Sequence, residues 1–408
     1  MQDKGKKKTI EEHLSTLVTY ECDVLIAGGG VAGIAAALAA ARQGAKVCLV
    51  EKQYMLGGLA TAGLVTIYLP LCDGQGHQVS FGIAEELFHL SILYGWERDY
   101  PAAWIHGGSQ EEKIRNRFRV RYNAQLFAMA AEQLLLKEGV KILYGTSVCS
   151  VAMEGEYIST VLIENKSGRS GIGVKSVVDA TGDGDICAMA GEKTALFKQQ
   201  NILAAWYYHC GKDGYQLNMN GFSDIPEDEK DGTQEIVYLK NRRFQGIEAE
   251  ELSEMVQLSH KEILEDVMKK RKQDLDYMPV TMSTVPQVRM TRRIEGKYTM
   301  TIEDDRREFE DSIGMISNWK KRGPVYEVPF RCLYGGRVKN LITAGRSISA
   351  ADSMWDVTRV IPACAVTGQA AGMAAAMTND FTSLNVKSLQ ECLHSAGVRL
   401  FYGELMGI

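Results

Sequence analysis

The first fifty residues alternate between apolar runs and glycine-containing turns. Residues 23–27 are mostly apolar and continuous, which predicts a short buried strand. Val31–Arg42 is rich in small residues and predicts a helix, and residues 45–50 predict a second strand after a turn at Gln43–Gly44. This strand, turn, helix and strand order predicts the start of an α/β protein with a parallel sheet.

Similar patterns recur further along the chain. Residues 175–180 and 341–344 predict two more strands, and a small-residue helix is expected from about Pro362, since proline suits the first turn of a helix. Residues 201–210 are aromatic and weakly alternating, as in a strand, while residues 241–273 have the charged periodicity of one or two exposed helices. The Gly- and Asp-rich residues 211–232 predict a loop.

Composition narrows the class of protein. The chain of 408 residues is 45% hydrophobic and 24% charged, with a net charge of −5, so nothing favours nucleic acid as a partner. Its longest apolar runs are too short to predict a membrane span, and its basic start lacks the apolar segment of a secretory signal. The nine cysteines include no CxxC pair, so we expect no metal site, reduced thiols and a cytoplasmic location.

The first turn carries a phosphate-binding pattern. Gly28, Gly30 and Gly33 fit GxGxxG, in which glycines allow a tight turn, a close approach of pyrophosphate to the backbone and close packing of the helix. Glu51 ends the second strand 51 − 33 = 18 positions after the third glycine, where a carboxylate would accept hydrogen bonds from a ribose hydroxyl. A ribose phosphate would be repelled there, so this motif predicts FAD or NAD in preference to NADP.

A second glycine-rich run distinguishes these cofactors. The segment MLGGLATAGLV, at residues 55–65, directly follows the acid strand. A plain nicotinamide dehydrogenase does not need such a loop, whereas a long FAD passes one with its pyrophosphate and ribitol. No second GxGxxG with a following acid strand is present, so a built-in NAD(P)H domain is not expected.

With these motifs, the sequence resembles the FAD-dependent oxidoreductase family of the glutathione reductase-like flavoproteins. The blocks that carry the resemblance occur in the family's order and are GGLAT, residues 139–151, VVDATGDGDICAMAG at 177–191, RRIEGKYTMT at 292–301, residues 328–350, residues 359–377 and residues 383–400. The resemblance implies a Rossmann-like FAD-binding domain with an inserted α+β substrate or cap region. It also implies non-covalent FAD, because no His or Cys lies within the MLGGLATAG segment.

The resemblance and the motifs together give a discontinuous organisation. We expect a polar tail at 1–20, FAD-binding parts at 21–190 and 326–380, a substrate or cap domain at 191–325 and a closing helix at 381–408. The residues expected to bind FAD are Gly28, Gly30, Val31, Ala32, Gly33, Glu51, Lys52, Gly57, Gly58, Ala60, Thr61, Val148, Ala180, Thr181, Gly182, Gly345, Arg346, Ile361 and Ala363.

Four residues are candidates for catalysis because they lie near loops expected to face the flavin. Tyr68 and His77 follow the second glycine loop and are candidate acid/base groups. The alternative is that Tyr68 packs in the core and that His77 lies in a solvated loop. Arg359 precedes the last helix and could hold a substrate carboxylate or the flavin O2 edge, the alternative being a structural ion pair. Asp352, or Asp356, stands in the loop where family members resembling this chain carry histidines.

A short basic stretch also invites two interpretations. Arg289, Arg292 and Arg293 could bind a carboxylate or phosphate of a substrate, or be solvated and paired surface charge. The sequence therefore predicts an FAD-dependent oxidoreductase that transfers hydride between a small organic substrate, including a carboxylated one, and flavin N5, with an electron acceptor or donor that it does not identify. The alternatives are an electron-transfer subunit like that of fumarate reductase and a non-redox dinucleotide-binding protein.

Overall fold

The fold consists of one large sheet, several small sheets and helices packed between them. The computed structural model describes residues 9–222, 224–225, 230, 232 and 238–406. The strands are β1 (Val18–Ala27), β2 (Val47–Val50), β3 (Ile67–Tyr68), β4 (Trp96–Arg98), β5 (Val120–Tyr122), β6 (Lys141–Leu143), β7 (Ser147–Glu154), β8 (Tyr157–Asn165), β9 (Gly168–Asp179), β10 (Thr194–Leu196), β11 (Ala205–Gly211), β12 (Gly214–Asn220), β13 (Met278–Met282), β14 (Arg292–Ile294), β15 (Ser312–Ser317), β16 (Val325–Pro329) and β17 (Leu341–Thr343). The α-helices are α1 (Val31–Arg42), α2 (Ile83–Ile92), α3 (Ala102–Ile105), α4 (Gln110–Arg115), α5 (Ala124–Lys137), α6 (Asp185–Met189), α7 (Ala249–Arg271), α8 (Asp352–Thr358), α9 (Ile361–Met377), α10 (Val386–Ser395) and α11 (Tyr402–Met406).

The large sheet confirms the predicted α/β class. Its order is β6-β2-β1-β9-β8-β7, and β17 pairs with the end of β9. The pairs of β1 with β2 and β9, of β2 with β6 and of β17 with β9 are all parallel, whereas β7, β8 and β9 form an antiparallel meander. β2, β17 and the carboxyl-terminal parts of β1 and β9 are buried, as expected of a Rossmann-like layer that helices cover. β1 begins at Val18, three residues inside the predicted polar tail.

Two helices of small residues pack directly on each other beside the sheet. α1 is buried from Val31 to Ala40, and all but three of the residues of α9 are buried. A Cβ atom placed on Gly368 or Gly372 would overlap the carbonyl oxygens of Ala32 and Ala36 respectively. The two backbones therefore approach as closely as they do only because these α9 positions lack side chains, and this contact joins the first and last parts of the chain.

The inserted region forms a separate small layer of strands and one long helix. Its antiparallel sheet has the order β12-β11-β13, and α7 packs on one face of it. Ile263 and Val267 of α7 lie against Ala205 and Tyr207 of β11. This confirms an inserted α+β region, but β12 lies where a loop was predicted for residues 211–232, part of which is outside the described residues. The proposed domain boundaries stay predictions.

In the described part of the chain, no single helix combines the length and apolarity of a membrane span, and α8 and α9 reach them only as a pair bent by 85°.

Candidate functional site

A cavity of about 580 Å³ opens at the carboxyl ends of the parallel strands. Ala27, Val50, Ala180 and Ala344, which lie at or just after the ends of β1, β2, β9 and β17, all line it. Ligands bind at this edge of open α/β sheets because the loops there connect to helix N-termini. The volume lies within the range of about 300–1,000 Å³ that is usual for small-molecule and cofactor sites.

The first glycine loop forms one wall of the cavity. Gly28 has φ +102°, and a Cβ there would lie 2.5 Å from the carbonyl oxygen of Ala180, so only glycine is accommodated. Glu51 is buried, and its carboxylate accepts the N–H groups of Gly29 and Gln53, each at 2.7 Å. The carboxylate thus ties the end of β2 to the glycine loop while Glu51 also lines the cavity.

The second glycine loop is attached to the first. The Gly57 N–H donates to the Gly29 carbonyl at 2.8 Å, and Gly30 and Gly57 form an isolated parallel bridge. The Tyr122 hydroxyl, buried beneath the loop, donates to the Ala60 carbonyl at 2.7 Å. The two loops therefore present adjacent stretches of backbone to the same cavity, as one long ligand requires.

The loop after β9 is held by Arg346. The Arg346 guanidinium donates to the Gly182 carbonyl at 2.6 Å, to the Val288 carbonyl at 2.5 Å and to the Asp183 carboxylate at 2.6 Å. Although Arg346 lines the cavity, all three of its nitrogens have protein partners. The charge of Arg346 is thus compensated by Asp183, and its role here is to connect the loop after β9 to the inserted region.

The opposite end of the cavity contains the start of α9. Arg359, Ile361 and Cys364 line the cavity there, and the first turn of α9 has no side-chain cap. Burial raises the pKa of the Cys364 thiol to about 12, so it is neutral at physiological pH. The uncapped helix end presents free N–H groups and the positive end of the helix dipole.

A buried ion cluster fixes Arg359. The Asp356 carboxylate is almost completely buried and pairs with both Arg359 and Lys320. The Arg359 Nε lies 2.9 Å from Asp356 Oδ1. Burial alone would raise the pKa of Asp356, but the two cations outweigh it and hold that pKa below its ordinary value.

The inserted region covers part of the cavity. Five of its residues contribute to the lining, namely Gly246, Leu252, Val285, Pro286 and Val288. Sequence reasoning missed all five, since their neighbours in space lie far away along the chain. It also missed Asp183 and Asp185, which line the cavity although they belong to the quoted ATGDGD segment. Burial raises the pKa of Asp185, and the negative charges of Asp183 and Asp179 raise it further.

Most residues predicted to bind the cofactor lie together. The cavity is lined by Gly28, Gly30, Val31, Ala32, Glu51, Lys52, Gly57, Gly58, Ala60, Val148, Ala180, Thr181, Gly182, Gly345, Arg346 and Ile361. Gly33, Thr61 and Ala363 lie outside the lining: Gly33 allows α1 to approach the Gly28 carbonyl, the buried Thr61 hydroxyl donates to the Leu56 carbonyl at 2.5 Å, and Ala363 is buried within α9. Binding roles for the residues of the lining stay predictions.

The expectation that the four catalytic candidates face one cavity needs correction for three of them. Tyr68 is fully buried, and its hydroxyl donates to the Ala84 carbonyl at 2.6 Å, so its ring packs in the core. His77 lies in a partly exposed turn, with Nδ1 2.9 Å from Asp73 Oδ2. Asp352 begins α8 and accepts the Lys198 N–H at 3.3 Å. Only Arg359 lines the cavity.

Sequence comparison identifies a family and two partial relatives. A family model described as FAD dependent oxidoreductase matches residues 23–203 and 196–393. A tryptophan 2-halogenase of Chondromyces crocatus is 27% identical over 210 residues, which are 48% of this chain and 37% of the halogenase. A thioredoxin reductase of Ureaplasma parvum is 38% identical over 74 residues, which are 18% of this chain and 24% of the reductase. The matches thus span well under two thirds of either relative.

Structural comparison returns many distant flavoprotein chains. One is a geranylgeranyl bacteriochlorophyll reductase-like protein of Thermoplasma acidophilum, with 13% identity, a TM-score of 0.42 and coverage of 93% of this chain and 82% of that one.

Proposed function

Because the chain belongs to the FAD dependent oxidoreductase family, with FAD as its cofactor, we propose that it oxidises or reduces a small organic substrate by hydride transfer to or from flavin N5. One observation carries the proposal. A single cavity runs from Glu51, where a ribose would lie, past three glycine-containing loops to Arg359 and the start of α9. An elongated dinucleotide explains why such distant motifs share one cavity.

The residues present fit FAD. Gly30 is the decisive position, because a Cβ placed there would meet no atom within 4 Å and would occupy the open space of the cavity. α1 starts immediately after it without a side-chain cap, so its first N–H groups are available to pyrophosphate. Glu51 retains carboxylate lone pairs beyond the two used by Gly29 and Gln53 and can accept from a ribose hydroxyl.

The protein's own groups contribute binding and electrostatics. When bound, FAD supplies two-electron hydride chemistry. The free N–H groups at the start of α9 favour negative charge near Ile361, and the Arg359 guanidinium adds a cation at the same end. Asp356 holds that guanidinium in place, and the lining residues Val285, Pro286 and Val288 help to exclude water from this end.

The partners and location are part of the same proposal. We expect a small-molecule substrate and a separate electron acceptor or donor, with neither nucleic acid nor a membrane span involved. All nine cysteines are free thiols in the structure, which supports the proposed cytoplasmic setting.

Purification and a substrate screen test the proposal. The protein should be yellow, should show flavin absorbance and should release FAD on heating. Anaerobic screening of metabolite pools for bleaching of the flavin should then identify a substrate class. A colourless protein that cannot be reconstituted with FAD would contradict cofactor and function together, while bound flavin that no donor bleaches would contradict the redox role and favour a non-redox one.

A further inference from the structure

We propose that Arg289 and the indole N–H of Trp206 form a binding subsite for a carboxylate group of the substrate, next to Arg359. This inference deepens the proposed function and rests on it, because it assigns a chemical class to the substrate of the same site. The inference applies to Arg289 alone and not to Arg292 or Arg293, although the three arginines are close in sequence.

Arg289 differs from its two neighbours in its contacts. Arg292 pairs with Asp185 at 2.6 Å, and Arg293 lies over the ring of Trp355. Arg289 lies 5.3 Å from the centre of the Trp206 ring and donates one hydrogen bond, to the Phe222 carbonyl at 2.8 Å. Within the described residues, no carboxylate lies within salt-bridge distance of it, so most of its N–H groups remain available.

Trp206 provides a second available donor beside Arg289. The Trp206 ring is 3% exposed and stacks on Phe222, with the ring centres 6.1 Å apart. In the described part of the chain, its buried Nε1 has no hydrogen-bond partner. A buried donor without a partner costs free energy, on the order of 1–3 kcal/mol, which an acceptor on a bound ligand would recover.

The surrounding charge favours an anion. The two carboxylates near Arg289 are Asp356, which pairs with Arg359 and Lys320, and Asp224, which pairs with Arg243. Burial and the charge of Arg359 lower the pKa of Arg289 to about 10, although Asp356 and Asp224 oppose them. Arg289 nevertheless keeps partial exposure, so solvent reaches it. An anion bound there would relieve the repulsion between Arg289 and Arg359.

The position and donor geometry favour a carboxylate attached to the reacting molecule. Arg289 and Trp206 are not themselves part of the cavity lining, but Val288, which directly precedes Arg289, and Arg359 both are. A planar guanidinium binds a carboxylate through two parallel hydrogen bonds, and the adjacent indole N–H can donate a third. A substrate held in this way would have its carboxylate next to the end of the cavity at which α9 begins.

Isothermal titration calorimetry of the holoprotein with benzoate tests the subsite, with benzamide as the uncharged probe of the same shape. We expect benzoate to bind and benzamide to bind at least about tenfold more weakly. Arg289→Gln should weaken benzoate binding about tenfold or more, while Arg289→Lys should restore part of it by returning the charge. Arg115→Gln, at an exposed arginine, is the matched control and should leave the affinity unchanged.

Several outcomes would overturn the subsite. Equal affinities for benzoate and benzamide, equal affinities of the Arg289→Gln and parent proteins for benzoate, or binding of chloride and phosphate without benzoate would each contradict a carboxylate site at Arg289. Because calorimetry detects benzoate without using flavin colour, a protein that lacks FAD but binds benzoate through Arg289 would contradict the proposed function and leave the subsite supported.

Discussion

The carboxylate of Glu51 accepts the backbone N–H of Gly29 at 2.7 Å, so the acid that ends β2 is bound to the loop that follows β1. The same carboxylate accepts the Gln53 N–H, and both Glu51 and Gln53 line the cavity. Glu51 therefore holds the glycine loop in shape, and in the proposed function it would also present an acceptor to the ribose.

Replacing Glu51 tests this combination. Glu51→Ala should weaken FAD retention about tenfold or more, because both the ribose acceptor and the anchor of the Gly29 loop are lost. Glu51→Gln should weaken it as well, since an amide nitrogen would face one of the two backbone donors. Dissociation of FAD, followed by the rise in flavin fluorescence on release, measures the effect, with exposed Glu111→Gln as the control. Unchanged FAD affinity in Glu51→Ala would show that the ribose assignment is wrong.

Two glycines of the same motif should separate cofactor binding from folding. Gly30→Ala places a methyl group in open cavity space at an ordinary backbone conformation, so FAD binding should be lost. The unfolding free energy of the FAD-free variant should differ from that of the FAD-free parent by less than about 0.5 kcal/mol. Gly33→Ala places a methyl group against the Gly28 carbonyl and should destabilise the fold by several kcal/mol. This clash outweighs the helix propensity of alanine, which is better than that of glycine by roughly 1 kcal/mol.

Urea unfolding followed by circular dichroism, together with the FAD content of each purified variant, distinguishes the two effects. If Gly30→Ala retained full FAD content, pyrophosphate would not approach the backbone at Gly30. If Gly33→Ala were as stable as the parent, the tight contact between α1 and the glycine loop would not limit stability.

The part of the cavity formed by the first glycine loop and Glu51 was predictable from the sequence, because the requirements on its residues are local. Gly28 has a positive φ, Gly30 leaves the space of a side chain open to the cavity, and Glu51 follows the end of a strand. Each of these requirements can be recognised from a few consecutive residues. The helix beginning near Pro362 was predictable for the same reason and is observed as α9.

The substrate end was less predictable because it depends on contacts between distant segments. Tyr68 follows the second glycine loop as expected, but its pairing in β3 directs its ring against Phe88 and Tyr122 and away from the cavity. Pro286 reaches the cavity only because the inserted region folds over it. The spacing of residues along a short stretch of sequence does not show which way a side chain points or where an inserted region packs.

Asp356→Asn tests the buried ion cluster at Arg359. Removing the carboxylate leaves the largely buried Arg359 guanidinium without its ion-pair partner, so we expect a loss of about 3–5 kcal/mol at pH 7. Because the folded pKa of Asp356 is depressed, its stabilisation is complete above the unfolded value of about 4 and is lost as pH falls through the folded pKa.

The measurement is the unfolding free energy of both proteins from pH 7 to pH 3. The difference between parent and Asp356→Asn should be constant from pH 7 to about pH 5 and should shrink at lower pH, where the parent's carboxylate becomes protonated. Exposed Asp276→Asn should show no such pattern. A difference that grew on acidification would contradict the depressed pKa of Asp356.

Tyr68→Phe tests whether the buried hydroxyl has a structural role only. Tyr68 has no exposed surface, its hydroxyl donates to Ala84, and burial raises its pKa well above the ordinary value. The variant should lose about 1 kcal/mol of stability, because one buried hydrogen bond disappears, and should reduce its flavin at the parent rate with whichever donor the metabolite screen identifies. Loss of a catalytic acid or base would instead slow that reaction about 10²- to 10⁴-fold.

Stopped-flow absorbance of the flavin under anaerobic conditions distinguishes the two results. Arg359→Gln, which alters a cavity-lining residue, shows that the assay responds to changes at the site. A hundredfold slower reduction in Tyr68→Phe would mean that the hydroxyl reaches the reacting atoms in a conformation other than the one described.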